Sequence, residues 1–281
     1  MGYNYFTNLM NEQLIRTAVT GLPVSRVIYY SETGSTNDIA QKLLEEGAPD
    51  GTLVVADSQT QGRGRLGRHW VTAPGSALAF SLALRSPADE RERLDFFSPL
   101  AGLAVCQTLV EDYGLPAEVK WPNDVLLDRR KACGVLVEAA WTGDVLQGVV
   151  VGIGVNVAPS SVPPDQEVMF PATCVEAALG KRVDRMELLA KIIYKFFDLR
   201  PAMGSPAFLQ LWQERLAFRG EIVRVDQTSG DSLSGRVDGI DPNGNLRLRA
   251  QDGEEIKIAV GDVRLRLPPA GDTEKSGDDS C

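Results

Sequence analysis

Hydrophobic and polar positions repeat with two different periods along this chain, and the switch between them divides it. Residues 1–30 are mixed, with a short helical pattern through Leu14, Ile15 and Val19 that is too little for a helix-turn-helix domain. From Ser35 the spacing becomes helical. Ser35 or Thr36 can cap a helix whose apolar face is Ile39, Leu43 and Leu44, and Gly47 ends it. "TLVVAD" (Thr52–Asp57) reads as a buried strand and "ALAFSLALR" (Ala77–Arg85) as another. A helix is predicted over Phe96–Tyr113, with Pro99 suited to its first turn and Gly114 at its end. The strand-like pieces "AEVKW", "VLLD", "CGVLVEAAW" and "VLQGVVVGIGVNV" then run close together, a spacing that predicts antiparallel hairpins and not crossover units. "PSSVPPDQ" is a loop, and helices are predicted at Ala172–Leu179, Arg185–Leu199 and Pro206–Phe218.

After Arg219 the period is two. "EIVRVD", "SLSGRVDGID", "GNLRLRA", "EEIKIAV" and "DVRLRL" are short alternating strands separated by Gly, Asp and Asn, with Asn243-Gly244 a strong hairpin signal. They predict a small β-barrel of roughly 50 residues. The tail "PPAGDTEKSGDDSC" is polar and rich in Pro and Gly, and is expected to be disordered. The expected division is therefore residues 1–218, 219–267 and 268–281.

Length and composition narrow the classes. A chain of 281 residues accommodates one large domain and a small one. A net charge of −9 argues against general DNA coating, which rests on Lys and Arg neutralising phosphates. The four cysteines lie far apart with no C-x-x-C pair, which removes zinc-ribbon and thioredoxin-like readings. His69 is the single histidine, so a multi-histidine metal site is excluded. Cys106, Cys133 and Cys174 stand in apolar contexts and read as buried thiols of a reducing compartment. The N-terminus has no signal-peptide pattern, and no apolar run approaches the roughly 18 residues of a membrane span; a soluble, cytoplasmic protein is expected.

One stretch departs from the acidic balance. "QGRGRLGRHW" (Gln61–Trp70) contains G-x-G-x-x-G, but "HWVTAPGS" after it cannot form the helix that a dinucleotide-binding turn or a P-loop requires. The alternatives are a mobile surface loop with solvated arginines or an anion-binding loop. Arg63, Arg65 and Arg68 repel one another unless an anion sits among them, arginine forks suit phosphate and carboxylate, and glycines admit a ligand close to the backbone. Three further stretches carry polar groups in apolar settings. Lys120 opens "KWPND", Asn156 ends "GIGVNV", and Ser35–Asn37 form "STN", which can equally be a helix cap.

Taken together, "GSTN", "Q-x-x-GRGRLGRHW", "VKWPNDVLL…KACGVLVE" and "GIGVNV" resemble the biotin protein ligase family in order and spacing over residues 32–157. The C-terminal strands are similar to the SH3-like domain of these ligases. The resemblance implies an α+β catalytic domain of the class II aminoacyl-tRNA synthetase type, with a mixed sheet and flanking helices, followed by a small SH3-like β-barrel. It implies two steps: biotin and ATP give biotinyl-5′-AMP with Mg²⁺, and a lysine of a biotin carboxyl carrier domain then displaces AMP. By resemblance Lys120 and Arg65 are catalytic, joining carboxylate to α-phosphate against their repulsion. Ser35, Thr36, Asn37, Gln59, Arg63, Gly64, Arg65, Lys120 and Gly134 would bind biotin. Arg65, Arg68, Trp70, Lys120, Asn123, Lys131 and Asn156 would bind ATP and the adenylate. Asp124 could orient Lys120 or the incoming amine. The resemblance implies no fixed protein metal site and a monomer or homodimer. No DNA partner is expected, because no helix-turn-helix domain like that of the bifunctional members is read and the balance is acidic, and no membrane partner is expected without an apolar span. Lipoate and octanoate transferases share the fold but lack this arginine–glycine loop, and a non-catalytic biotin sensor would not need Lys120 and Arg65.

Overall fold

The computed structural model describes residues 10–85, 88–164, 170–227, 232–259 and 263–266. The chain divides into two compact units, one of Met1–Ala217 with Pro242–Gly244 and one of Phe218–Asp241 with the residues from Asn245 onward.

In the larger unit, β2 (Thr52–Gln59) and β3 (Ala77–Leu84) are buried along almost their whole length, which is why they read as continuous apolar runs and not as alternating ones. They lie inside a seven-stranded mixed sheet. Its other members are β1 (Arg26–Thr33), β4 (Ala117–Lys120), β5 (Asp124–Leu127), β6 (Arg130–Thr142) and β7 (Val145–Asn156), and the order is β1-β2-β3-β7-β6-β5-β4. β1 is parallel to β2 and every other pairing is antiparallel. The last four strands are the expected hairpins. In the β6–β7 register Gly134 faces Gly154 and Leu136 faces Gly152.

Helix α2 (Thr36–Glu45) packs Ala40 and Leu44 against Val54, Ala83, Ala140 and Val150 of the sheet. Helices α3 (Phe97–Glu111) and α5 (Arg185–Leu199) pack on one another and on the sheet. α3 is buried from Phe97 to Leu109 apart from Ser98, a helix enclosed almost all round. A mixed α+β architecture is thus established. Cys106, Cys133 and Cys174 are buried free thiols, and burial pushes the Cys106 thiol up to about 12.

Three elements differ from expectation. The short helical pattern at Leu14, Ile15 and Val19 is α1 (Glu12–Ala18), but the residues read as mixed also hold β1, whose strand-favouring Val27–Tyr30 sit on an edge strand with only Val27 fully buried and with Ser31 and Glu32 exposed. The helix expected from Ala172 starts at Val175, as α4 (Val175–Leu179), because residues 171–173 run extended beside β6 through Lys131 N–H to Pro171 O (2.7 Å) and Thr173 N–H to Lys131 O (2.9 Å). α6 (Pro206–Glu214) stops four residues early: Arg215 O accepts from Val119 N–H and Ala217 N–H donates to Val119 O, so the chain extends the β4 edge instead.

The smaller unit contains β8 (Ile222–Gln227), β9 (Ser232–Ile240), β10 (Leu246–Arg249), β11 (Glu255–Ile258) and β12 (Val263–Arg266), an antiparallel sheet in the order β11-β10-β9-β8-β12. Val223, Val225, Val237, Leu246, Leu248 and Ile258 form its buried positions. The expected tail, residues 268–281, lies outside the described residues.

A buried charge pair ties the larger unit together. Arg185, fully enclosed at the start of α5, donates to Asp57 Oδ1 (2.6 Å) and to Ala77 O (3.1 Å), while Asp57 Oδ2 accepts from Gly75 N–H (3.2 Å). Removing the partner of an enclosed guanidinium leaves a desolvated charge, at a cost of about 3 kcal/mol. Asp57→Ala is expected to lose about that much in urea denaturation, and Arg185→Met distinctly less, because Asp57 retains some contact with water.

Candidate active site

Two glycines of β7 open the sheet. A Cβ on Gly152 would stand 2.1 Å from Asn37 Oδ1, and one on Gly154 2.4 Å from Trp70 Cε2. Their absent side chains are therefore the room in which Asn37 and the Trp70 indole rest on the strand. Above this floor is a cavity of about 490 Å³ lined on the α2 side by Ser35, Thr36, Asn37 and Gln59, and elsewhere by Trp70, Gly134, Phe170 and Asn156.

A continuous polar chain runs through one end of the cavity. Ser81 Oγ, enclosed within β3, donates to Asn37 Oδ1 at 2.6 Å and lies 2.8 Å from Thr36 Oγ1. Thr36 N–H donates to Gln59 Oε1 (2.8 Å), and Gln59 Nε2 donates to Thr72 Oγ1 (3.2 Å). Asn37 Nδ2 donates to Glu138 Oε2 (2.7 Å) and Leu136 O (3.3 Å). Ser35 occupies the N-cap position of α2, but its side chain makes no cap bond. It lines the cavity instead, so the capping reading of "STN" gives way to a pocket reading.

The other end is cationic. Lys120 and Asp124 face each other across the β4–β5 hairpin, Nζ to Oδ2 at 2.7 Å, and Lys131 Nζ reaches Asp124 Oδ1 at 2.6 Å. Two ammonium groups share one carboxylate, leaving one net positive charge. Lys120 is buried and does not line the cavity itself; its Nζ touches two groups that do, Asp124 and the Phe170 ring at 4.6 Å. Burial lowers the Lys120 pKa most, Asp124 opposes that shift, and Lys131 and Arg68 add to it. Burial disfavours the Asp124 charge, but the two lysines outweigh it and hold the carboxyl well below the usual carboxylate range.

The arginine–glycine loop closes back on itself over this end. Gly64 N–H donates to Arg68 O (2.7 Å) and Trp70 N–H to Gly62 O (2.8 Å), with a short helical turn at Arg65–Gly67. Arg65 Nη1 meets Asn123 Oδ1 at 3.4 Å, and Asn123 Nδ2 donates to Val135 O (2.7 Å). Arg63 turns away from the cations, to Asp38 Oδ1 (2.5 Å) and Glu138 Oε2 (2.9 Å). Lys131 Nζ lies 5.5 Å from the centre of the Trp70 ring. Asn156 Nδ2 donates to Thr173 O (3.0 Å). Every sequence-derived site residue except Lys120 lines the one cavity, and Lys120 adjoins it.

Four residues of the site were missed in the sequence: Asp38, Thr72, Ser81 and Glu138. Ser81 did carry a signal, as the single hydroxyl in the otherwise apolar run "ALAFSLAL". Asp38 lies on a helix face, Glu138 on a strand and Thr72 in the segment between the loop and β3, all places where polar residues are ordinary.

A mixed sheet with a polar pocket at one end and a cationic clamp at the other defines an α+β protein built to hold a small ligand beside an anion. Comparison with known proteins agrees. Residues 29–156 match the biotin/lipoate A/B protein ligase family, and residues 218–266 match the biotin protein ligase C-terminal domain. The chain is 34% identical over 257 residues to the bifunctional ligase/repressor BirA of Bacillus subtilis, covering 89% of this chain and 76% of that one. It is 34% identical to the biotin–[acetyl-CoA-carboxylase] ligase of Paracoccus denitrificans, covering 80% of this chain and 95% of that one. The structure of the Aquifex aeolicus biotin protein ligase in complex with biotin and ATP superposes with a TM-score of 0.74 at 30% identity, covering 87% of this chain and all of that one. The chain belongs to the biotin protein ligase family.

The charge clamp has a pH signature. The Asp124 carboxyl sits below its unfolded value of 3.8, so its contribution is present above that value and is lost as pH falls toward the folded value. Asp124→Asn is expected to be less stable than the parent at neutral pH. The gap should narrow as pH falls from about 5 to about 2, measured by urea denaturation. A gap that stays constant over this window would show that the carboxylate is not stabilised by the lysines.

Proposed function

We propose that this enzyme attaches biotin to a specific lysine of a biotin carboxyl carrier domain, using ATP and passing through biotinyl-5′-AMP. The observation that carries this reading is the adjacency of an uncharged polar pocket to a cationic clamp. Biotin needs both, with a neutral hydrogen-bonding head at one end and a carboxylate at the other. In the first step a biotin carboxylate oxygen attacks the α-phosphorus of ATP, the bond to the bridging oxygen breaks, and pyrophosphate leaves. In the second the acceptor lysine amine attacks the acyl carbon of the mixed anhydride, AMP leaves with the bridging electron pair, and the amine loses a proton.

The geometry supports the following residue roles. Ser35, Thr36, Asn37 and Gln59 offer hydrogen-bonding groups to the biotin head, with Gly134 leaving the backbone accessible beside them. Lys120 and Arg65 meet the carboxylate and α-phosphate, offsetting their repulsion and the charge that grows at phosphorus. Lys120 exchanges part of its pairing with Asp124 for the incoming anion, which the extra charge from Lys131 favours. Trp70, Lys131, Asn123 and Asn156 take the nucleotide, with Arg68 toward the phosphates. Arg63 and Gly64 shape the loop that shields the anhydride from water.

Among the described residues no three His, Cys, Asp or Glu side chains cluster to hold a metal, and both Asp124 oxygens are engaged by lysines. We infer that Mg²⁺ arrives on the triphosphate, where it supplies charge neutralisation when bound. Among the described residues no helix is long and apolar enough to cross a membrane. A cytoplasmic site of action, and action as a monomer or homodimer, belong to the same proposal. So does the assignment of residues 1–218 to a class II synthetase-like catalytic domain and of 219–267 to an SH3-like domain.

The test is direct. Biotin, ATP and a carrier domain should yield a biotinylated lysine and, without acceptor, biotinyl-5′-AMP; formation of neither overturns the reading. Lys120→Ala is expected to lower adenylate formation by about 100-fold or more while thermal unfolding still shows a folded protein. Arg65→Gly is expected to release more adenylate into solution per biotin transferred than the parent does; equal retention would remove Arg65 from the clamp.

A further inference from the structure

We propose that Glu138, seconded by Asp38, is a positioning residue that couples the occupied biotin pocket to closure of the arginine–glycine loop. The proposal rests on the ligase reading above. It starts from one atom: Glu138 Oε2 accepts from both Asn37 Nδ2 (2.7 Å) and Arg63 Nη2 (2.9 Å). Asn37 belongs to the floor of the pocket, held from its other side by the enclosed Ser81 hydroxyl. Arg63 belongs to the loop. Glu138 is thus the point at which the wall and the lid of the cavity share a hydrogen-bond acceptor.

The arrangement sorts the three arginines of the loop by task. Arg65 and Arg68 stay on the cationic side, with Asn123 and with one another. Arg63 is drawn off by two carboxylates, Asp38 Oδ1 on α2 and Glu138 Oε2 on β6. Its charge is spent on holding the loop down and adds little attraction for the substrate anions. The latch is weak by construction. The Arg63 and Asp38 side chains are 40% and 53% exposed, so solvent screens that pair; Glu138 is 26% exposed and holds more firmly. A latch of this strength lets the loop open for exchange of ligands. A ligand that fixes Asn37 also fixes the carboxylate that Arg63 grips, so pocket occupancy reinforces closure.

The test uses the full chain. Arg63, Arg65 and Arg68 make the loop a trypsin target, so the rate of cleavage there reports opening directly. The isosteric variants Glu138→Gln and Asp38→Asn, singly and together, are compared with the parent with and without biotin, at low salt and at about 0.5 M salt. The expected result has three parts. Without ligand the parent is cleaved several-fold faster at high salt, and the double variant is already fast and indifferent to salt. Biotin protects the parent strongly and the Glu138→Gln variant weakly. The variant's KM for biotin rises several-fold while kcat changes by less than about twofold. Loop cleavage, salt response and biotin protection equal to the parent's would overturn the latch. Because the parent must form biotinyl-5′-AMP in the same preparation, failure of the ligase reading is seen separately, as absence of adenylate from the parent itself.

Discussion

Asp124 holds two ammonium groups, Lys120 and Lys131, at the inner end of the cavity, and much of the site is arranged around that sharing. A single lysine in so enclosed a place would tend to lose its proton, and a single carboxylate would tend to gain one. At 2.6–2.7 Å from Asp124, the two lysines hold its carboxyl well below the usual carboxylate range, and Asp124 in turn opposes the lowering of the Lys120 pKa by burial. The sheet makes this possible. The tight β4–β5 hairpin sets Lys120 opposite Asp124, and the pairing of β5 with β6 sets Asp124 opposite Gly134, beside which Lys131 and Trp70 pack.

Charge is divided across the molecule with some economy. A chain of net charge −9 concentrates its cations where two anionic substrates must meet. It also uses carboxylates in two different ways there. Asp124 holds the two lysine ammonium groups at the cationic end, whereas Asp38 and Glu138 pair with one arginine of the loop.

Much of this was legible in the sequence. Apolar runs marked β2, β3 and the hairpins of the second half, because buried strands cannot carry charge. Turn residues marked the small β-unit. The site residues could be assembled only because four short motifs occurred in a known order; alone, "GRGRLGR" does not distinguish a solvated loop from a ligand-binding one. What escaped notice has a common physical cause. β1 pairs along one side only, so its pattern is diluted by polar positions facing water. Asp38 and Glu138 are charged residues on exposed-looking faces, and their value depends on Arg63, which folding brings to them from 25 and 75 positions away. The early end of α6 depends on a backbone edge at Val119, which no local pattern announces.

The bare stretch of β7 at Gly152 and Gly154 sets a limit on how this protein can be improved. Glycine inside a strand costs about 1 kcal/mol relative to residues with side chains, so a search for thermostable variants would be drawn to these positions. Any side chain there would evict Asn37 or the Trp70 indole. The strand is thus kept below its attainable stability by the two side chains it must accommodate, while β3 and β6 bond along both its edges. Engineering for robustness would do better elsewhere, on helices whose surfaces meet only water.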